Sequence, residues 1–404
     1  MIFYEFFAGG GMARLGRGGR WKCKFSNDNS PKKAGAYRAN FPNSPLLLKS
    51  IYDVAIEDLP SGAADLAWAS FPCQDLSLAG NGAGLGGKRS GTFWTFSEIV
   101  TDLKRQDRAP RTIVLENVTG AITSNKGRDF AAILAVLAEM GYTFGPLIVD
   151  GVHFVPQSRP RLFIIAADVR FGFPDAQCSP SATQLWHSDA LCAAYESLPE
   201  KLKSRWMWLN VPEPPERLIN LSSVLEPDAQ VDWNSREQTD FLLSLMSDLN
   251  LRKVRQAQAF GRRLVGALYK RTRKGVQRAE VRFDEVAGCL RTPGGGSSRQ
   301  TILVVDNATV RSRLITPREA ARLMGVPDSY KLPKNYNEAY HLMGDGLVVP
   351  AVSWLERWLL SPICEHQRQT LAAAWRVLRG NVHVRPVTRP LCPEPLRGSH
   401  LLFH

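Results

Sequence analysis

The sequence predicts an α/β fold: a largely parallel sheet covered on both faces by helices, with a smaller basic module inserted late in the chain. Three observations predict it. Short continuous apolar runs alternate with helix-spaced segments through the first 170 residues. The alternation then gives way to Pro- and Trp-rich sequence and a strongly basic stretch, and helical patterning resumes near residue 310. At 404 residues, 44% of them hydrophobic and 9% aromatic, the chain is long enough for two lobes and too apolar to be mostly disordered.

Taken in order, IFYEFF (2–7), ADLAWASF (64–71), TIVLENV (112–118) and RLFIIAA (161–167) have the length and apolar continuity of buried strands. FWTFSEIVTDLKR (93–105) and RDFAAILAVLAEMG (128–141) place apolar residues at helical spacing, the second closing on a glycine. In such sheets ligands bind beyond the carboxyl ends of the strands, so residues just after each run are the ones to inspect. SRWMWLNVPEPPE (204–216) breaks the pattern, and residues 252–282 hold eleven Lys or Arg against a single acid, Glu280. RTPGGGSSRQ (291–300) follows. TPREAARLMG (316–325) then reads as a helix with Thr316 as N-cap, Pro317 first and Glu319 third. These shifts divide the chain into a first lobe (1–170), an inserted module (171–309), a return to the first lobe (310–362) and a loosely ordered tail (363–404).

The net charge of +13 favours a polyanionic partner. Seven scattered cysteines form neither a disulfide framework nor a CxxC pattern, which fits a reducing cytoplasm and predicts no metal site. No run of about 18 uninterrupted apolar residues occurs, so no membrane span is expected. The opening MIFYEFFAGGG lacks the basic n-region of a signal peptide.

Four motifs sit just after strand runs. FFAGGGMARLG (6–16) offers glycines that let backbone approach a ligand, and Asp28 follows at the distance where an acid grips ribose hydroxyls. On its own such a turn is a weak signal. Cys73, in FPCQ, stands behind Pro72 at a strand end, where a thiol is presentable; the glycines from Gly80 to Gly87, ahead of Arg89 and Ser90, read as a lid. Most lone cysteines are buried and inert, so this motif too needs company. In VLENVTG (114–120) Glu116 is placed for desolvation and proton sharing. In VPQSRPRLFII (155–165), Gln157, Arg159 and Arg161 alternate along an incoming strand and so share a face, two guanidiniums ready for phosphate, carboxylate or a base oxygen. The basic stretch beside Gly294, Gly295, Gly296, Ser297, Ser298 and Arg299 suits a phosphate backbone.

The order FAGGG, FPCQ, ENV, QSRPR, a variable basic segment, TPREAARLMG and LMGDGLVVP resembles the DNA (cytosine-5) methyltransferase family, over most of residues 1–362. The resemblance implies a Rossmann-like S-adenosylmethionine-dependent sheet with a smaller target-recognition domain, acting as a monomer on double-stranded DNA, in some relatives beside a restriction endonuclease. It implies Cys73 as the nucleophile on C6 of a cytosine, Glu116 as the group holding the base at N3 and its amine, and Arg161 with Arg159 as braces. It places Phe7, Ala8, Gly9, Gly10, Gly11, Asp28, Asn29, Ser50, Ile51, Pro72 and Asp345 around S-adenosylmethionine, and Gln157, Arg89, Ser90 and the 294–299 loop on DNA. The chain departs from the family pattern at Met12 (usually Gly), Asn29 (often Trp) and Asp345 (usually Asn), and either Ser50 or Asp53 stands where an acid usually meets the adenine amine. Three other readings are a tRNA cytosine-5 methyltransferase, a silent DNA-binding regulator on the same scaffold, and a dehydrogenase, the last lacking any hydride-transfer His or Tyr set.

Overall fold

The computed structural model describes residues 1–72, 91–273, 275–292 and 298–380. Cys73, Arg89, Ser90, Gly294, Gly295, Gly296 and Ser297 lie outside the described residues, as does 381–404.

Seven strands make the main sheet: β1 (Ile2–Phe6), β2 (Lys22–Asp28), β3 (Leu46–Leu48), β4 (Leu66–Ala69), β5 (Thr112–Val118), β6 (Tyr142–Asp150) and β7 (Pro160–Asp168), in the order β3-β2-β1-β4-β5-β7-β6. The first five run parallel, and β7 lies antiparallel between β5 and β6. Neighbouring residues on a strand point to opposite faces. Phe3, Trp68, Val114 and Phe163 therefore feed one core, while Tyr4, Ala67, Ile113 and Ile164 feed the other. Two-sided burial is why these strands read as unbroken apolar runs. Helices α1 (Met12–Arg17) and α2 (Pro31–Asn40) follow the first two strands. On the second face α3 (Thr92–Arg105) and α4 (Arg128–Glu139) bury Phe96, Val100, Phe130 and Leu134. The strand β6 carries Pro146 and stays compatible with it because it is the sheet's last strand.

That last strand is covered. The stretch after β7 holds β8 (Cys178–Ser179), α5 (Asp189–Glu196), α6 (Glu200–Lys203) and β9 (Trp208–Leu209). Its Trp186, Trp206 and Leu209 are buried, Phe144 N–H donates to Arg205 O (2.9 Å) and Ile148 N–H to Trp186 O (2.8 Å). The Trp-rich sequence up to about residue 211 thus packs with the main sheet instead of the inserted module, because an exposed sheet edge needs a cover.

Beyond it come α7 (Leu221–Val224), α8 (Arg236–Ser244) and α9 (Asp248–Ala259), then a second, antiparallel sheet of β10 (Leu264–Arg273), β11 (Val276–Arg282), β12 (Thr301–Asp306) and β13 (Thr309–Leu314), ordered β11-β10-β12-β13. One face packs Leu268, Val281 and Leu303 against Met246 and Val254, while Val265, Ala267, Ile302 and Val304 join the main core. Since β13 pairs with β12, this sheet extends to Leu314, five residues past the boundary expected at 309. The basic stretch 252–282 is split between the end of α9 and the β10–β11 hairpin.

The chain returns through α10 (Pro317–Arg322), α11 (Tyr336–Gly344), α12 (Val349–Leu355) and α13 (Ser361–Gly380). Thr316 and Glu319 form a reciprocal capping box at α10. The tail expected to be loose from 363 is helical to 380, with Ile363, Cys364 and Gln367 fully buried. Its apolar residues recur at helical spacing, a local signal outweighed in the expectation by the Pro- and Arg-rich sequence beyond 380. Arg368 fastens the helix to Asp65 through two hydrogen bonds of 2.8 and 2.7 Å.

Candidate active site

The chain leaves β1 toward β2 on one side while β4 lies on the other, so a crevice opens at the carboxyl end of β1. There Phe7 (φ 56°), Gly9 (φ 55°) and Gly11 (φ 78°) take left-handed backbone. Asp28, at the end of β2, holds the turn: Gly9 N–H donates to its Oδ2 and Ser30 N–H to its Oδ1, both at 2.8 Å. Each carboxylate oxygen keeps a second lone pair for a ligand. The glycines differ in purpose. A Cβ on Gly9 would meet nothing within 4 Å, so open space lies over it. On Gly10 it would strike Tyr330 Oη at 2.7 Å, and on Gly11 the Phe41 ring at 2.4 Å. Only Gly9 offers backbone to a ligand; Gly10 and Gly11 are glycines for packing. Tyr330 donates to Gly10 O (2.7 Å) and ties the turn to the returning segment, a contact no local sequence signal announces.

Around this crevice Ile51 is buried, Ser50 half-buried, Asn29 and Asp53 exposed. The Ser50 hydroxyl caps the short turn 51–53. Met12 fills the space above Gly346, where a Cβ would lie 2.2 Å from its sulfur. Asp345 pairs with Lys33 Nζ at 2.9 Å and accepts from the Thr292 hydroxyl. Burial would raise its pKa, but Lys33 and Thr292 outweigh that and hold it below the ordinary value. Ser30, Lys33, Leu342 and Asp345 line a cavity of about 320 Å³ here.

Two strands over, Glu116 lies two residues before the end of β5, 8% exposed, with Arg161 Nε 3.3 Å from its Oε1. Burial pushes the Glu116 pKa up, and Arg161, Arg159 and a hydrogen bond from Ser70 offset only part of it. Asn117 Nδ2 donates to Phe71 O (3.2 Å), fixing the backbone that leads through Pro72 to position 73. The carboxylate and the cysteine's approach therefore lie on adjacent strands, β5 and β4, at the same edge.

The expected common face of Gln157, Arg159 and Arg161 does not form, because β7 begins only at Pro160. Gln157 is fully buried: its Nε2 donates to Leu323 O (2.7 Å) and its Oε1 accepts from Leu290 N–H (2.9 Å), so it clasps protein and is not a DNA contact. Arg159, 2% exposed, donates to Gly344 O and Gly346 O (2.7 Å each) and to Leu290 O (2.8 Å). It reaches Glu116 only through its charge and holds three segments together. Arg161 alone has its guanidinium on the carboxylate, and its Nη2 also lies 4.0 Å from Cys289 Sγ. Cys289, which the sequence reading passed over, accepts from Arg159 Nη1 at 3.2 Å. Burial would raise that thiol, yet the two guanidiniums outweigh it and leave its pKa below the usual value. Of the loop residues, Ser298 is tied to the Lys270 backbone (2.8 and 3.2 Å), and Arg299 bonds Asn337 and stacks 5.1 Å over Tyr336.

The profile of the C-5 cytosine-specific DNA methylases matches residues 1–359. The chain belongs to this family. Among relatives of this methylase, the type II methyltransferase M.HpaII of Haemophilus parainfluenzae is 27% identical over 374 residues, spanning 87% of this chain and 86% of its own. M.HhaI of Haemophilus parahaemolyticus, also a type II methyltransferase, is 24% identical over 358 residues, spanning 87% and 92%. In fold, the methylase superposes on the S. pombe Dnmt2 methyltransferase with a TM-score of 0.55 at 18% identity, covering 90% of this chain and 98% of that one. A putative DNA modification methyltransferase of an E. coli prophage gives 0.53 at 16%. The sheet is thus that of an S-adenosylmethionine-dependent methyltransferase, and the enzyme is a DNA (cytosine-5-)-methyltransferase.

Proposed function

We propose that the protein methylates C5 of a cytosine extruded from a specific duplex DNA sequence, through a transient bond between Cys73 and C6. The observation that carries this is a buried, Arg161-bound Glu116 beside the strand that leads to Cys73, with the glycine turn two strands and Asp28 three strands from Glu116 at the same edge. C5 of cytosine is a weak nucleophile. Addition of the thiolate to C6 places the ring's electron density on C5, and Glu116 with its raised pKa shares its proton with N3 as that density builds. After methyl transfer a base removes the C5 proton, the C5–C6 double bond re-forms and the thiolate leaves. C6 is stacked within a duplex, so the base must be swung out to be reached. Arg161 holds Glu116 and faces the base oxygen.

Gly9, open above, with Asp28, Ser50, Ile51 and Asp345 around it, fits S-adenosylmethionine, whose sulfonium supplies the methyl group when bound. Ser50 is better placed than Asp53, which is exposed. We assign the second sheet to target recognition, and a modification role beside a restriction endonuclease follows the type II relatives. Bisulfite sequencing of DNA from cells expressing the chain, with tRNA assayed in parallel, tests the reading: methylcytosine at one recurring motif is expected, and methylation of tRNA alone would overturn it.

Arg161 makes a pH prediction. Removing its positive charge in Arg161→Leu takes away what holds the Glu116 pKa down, so that pKa rises further. The rate falls as pH climbs through the Glu116 pKa and the shared proton is lost. In the variant the alkaline limb of the single-turnover rate profile therefore moves to higher pH, beneath a lowered maximum. An unmoved limb would show that another group limits the reaction there.

A further inference from the structure

Between the start of β7 and the second sheet lies a cavity of about 290 Å³, lined among others by Ser158, Lys270, Arg271, Arg282, Cys289 and Arg291. None of its lining residues is an acid. Two carboxylates meet the wall only through lining side chains that they already bind, Asp284 on Arg282 (2.6 Å) and Glu280 on the Tyr269 hydroxyl (2.6 Å), while Asp150 accepts from the backbone N–H groups of Val152 and Arg159. Among the described residues no ion pair reaches Lys270, Arg271 or Arg291, so three uncompensated cations converge on one polar hollow. The hairpin bearing two of them carries one unfavourable cross-strand pair. Arg271 stands directly opposite Arg278 in the β10–β11 register, and like charges facing each other destabilise a hairpin. Arg271 is held in place over the Tyr269 ring, 4.7 Å from its centroid.

The position of the hollow says which anion it suits. Its wall includes Cys289, 4.0 Å from Arg161, and Arg161 lies 3.3 Å from Glu116. The cavity therefore begins one guanidinium away from the carboxylate. A pyrimidine swung onto Glu116 remains attached to its sugar and phosphates, which must come to rest near that wall.

We propose that this cavity seats one backbone phosphate of the strand carrying the target cytosine, with Lys270, Arg271 and Arg291 as its cations. The inference rests on the DNA reading above and deepens it, by locating a fixed contact on the hairpin rather than along α9. The exposed arginines of α9, Arg252 and Arg255, do not line the cavity.

Two measurements on the full chain test it, using a short fluorescent duplex of arbitrary sequence. Binding is followed across a KCl series for the wild type, for Arg271→Gln/Arg291→Gln, and for Arg252→Gln/Arg255→Gln. The first double variant loses two of the three cations on a single phosphate, so its slope of log affinity against log salt is expected to fall by about 1, and that of the second variant to stay unchanged. In parallel, alkylation of Cys289 by iodoacetamide is timed by peptide-resolved mass spectrometry, with buried Cys23 and Cys364 as internal references. Saturating duplex is expected to slow Cys289 severalfold in the wild type and not in Arg271→Gln/Arg291→Gln. An unchanged slope in that variant, or alkylation of Cys289 as fast with duplex as without, overturns the seat while the DNA reading stands. A wild type that binds no duplex at all overturns both.

Discussion

Cys73→Ala is expected to lose methyl transfer by about 10⁴-fold or more while still binding duplex and S-adenosylhomocysteine. The size of the loss follows from the electronics. Without a nucleophile at C6 the ring has no route by which C5 gains the electron density that attacks the methyl group. Every other part of the site then orients a base that does not react. Survival of binding follows from the architecture. The Asn117 side chain holds the Phe71 carbonyl, Asp28 holds the glycine turn, and neither depends on the thiol. Cys73→Ser should behave almost the same, since a hydroxyl gives up its proton far less readily than a thiol. Single-turnover transfer of a labelled methyl group measures the loss. Duplex carrying 5-fluorocytosine at the target, incubated with methyl donor, should capture the wild type covalently and spare both variants. Ordinary turnover by Cys73→Ala would remove the covalent route altogether.

Much of the site was legible because its residues follow strands. Ligands of an open α/β sheet collect where strands end, and a strand end is easy to find from sequence. Glu116 could be placed in this way, and so could Asp28 and the glycine turn. Gln157 and Arg159 could not, because alternation predicts a shared face only inside a strand, and β7 begins one residue after Arg159 and three after Gln157. Their partners, Leu290, Leu323, Gly344 and Gly346, lie more than a hundred residues further along the chain. Cys289 and Tyr330 escaped notice for the same reason: what they do is decided by segments brought close only in the folded molecule. The Trp-rich stretch before residue 211 misled because composition reports a change in character and not which sheet the apolar side chains cover. The glycine turn shows a subtler limit. All three glycines are required, but by different forces, and only the fold separates open space over Gly9 from Tyr330 and Phe41 beside its neighbours.

The largest loss of stability is expected at Glu319, far from any ligand. Arg313 at the end of β13 and Glu319 on α10 meet through two hydrogen bonds of 2.7 Å, with side chains 1% and 0% exposed. Glu319 also accepts from Thr316 N–H (2.9 Å) and from Glu226 N–H (2.7 Å). One carboxylate thus joins the second sheet, the first turn of α10 and the segment after α7. Glu319→Ala leaves the Arg313 guanidinium buried without its carboxylate and two backbone donors without acceptors. Breaking one side of a buried pair costs about 3–5 kcal/mol, a large part of the roughly 5–15 kcal/mol that holds a typical domain folded. Replacing both partners should cost much less, because no charge is then stranded in the interior. Arg313→Met with Glu319→Gln keeps an amide oxygen for Thr316 N–H and removes both charges but leaves Glu226 N–H facing the amide NH2, so it should recover part of the loss. Urea unfolding of the three proteins decides the matter. The single variant's midpoint should drop sharply with an unchanged slope, and the double variant's should lie between it and the wild type. A single variant within about 1 kcal/mol of the wild type would place this pair with exposed ion pairs, whose removal costs little.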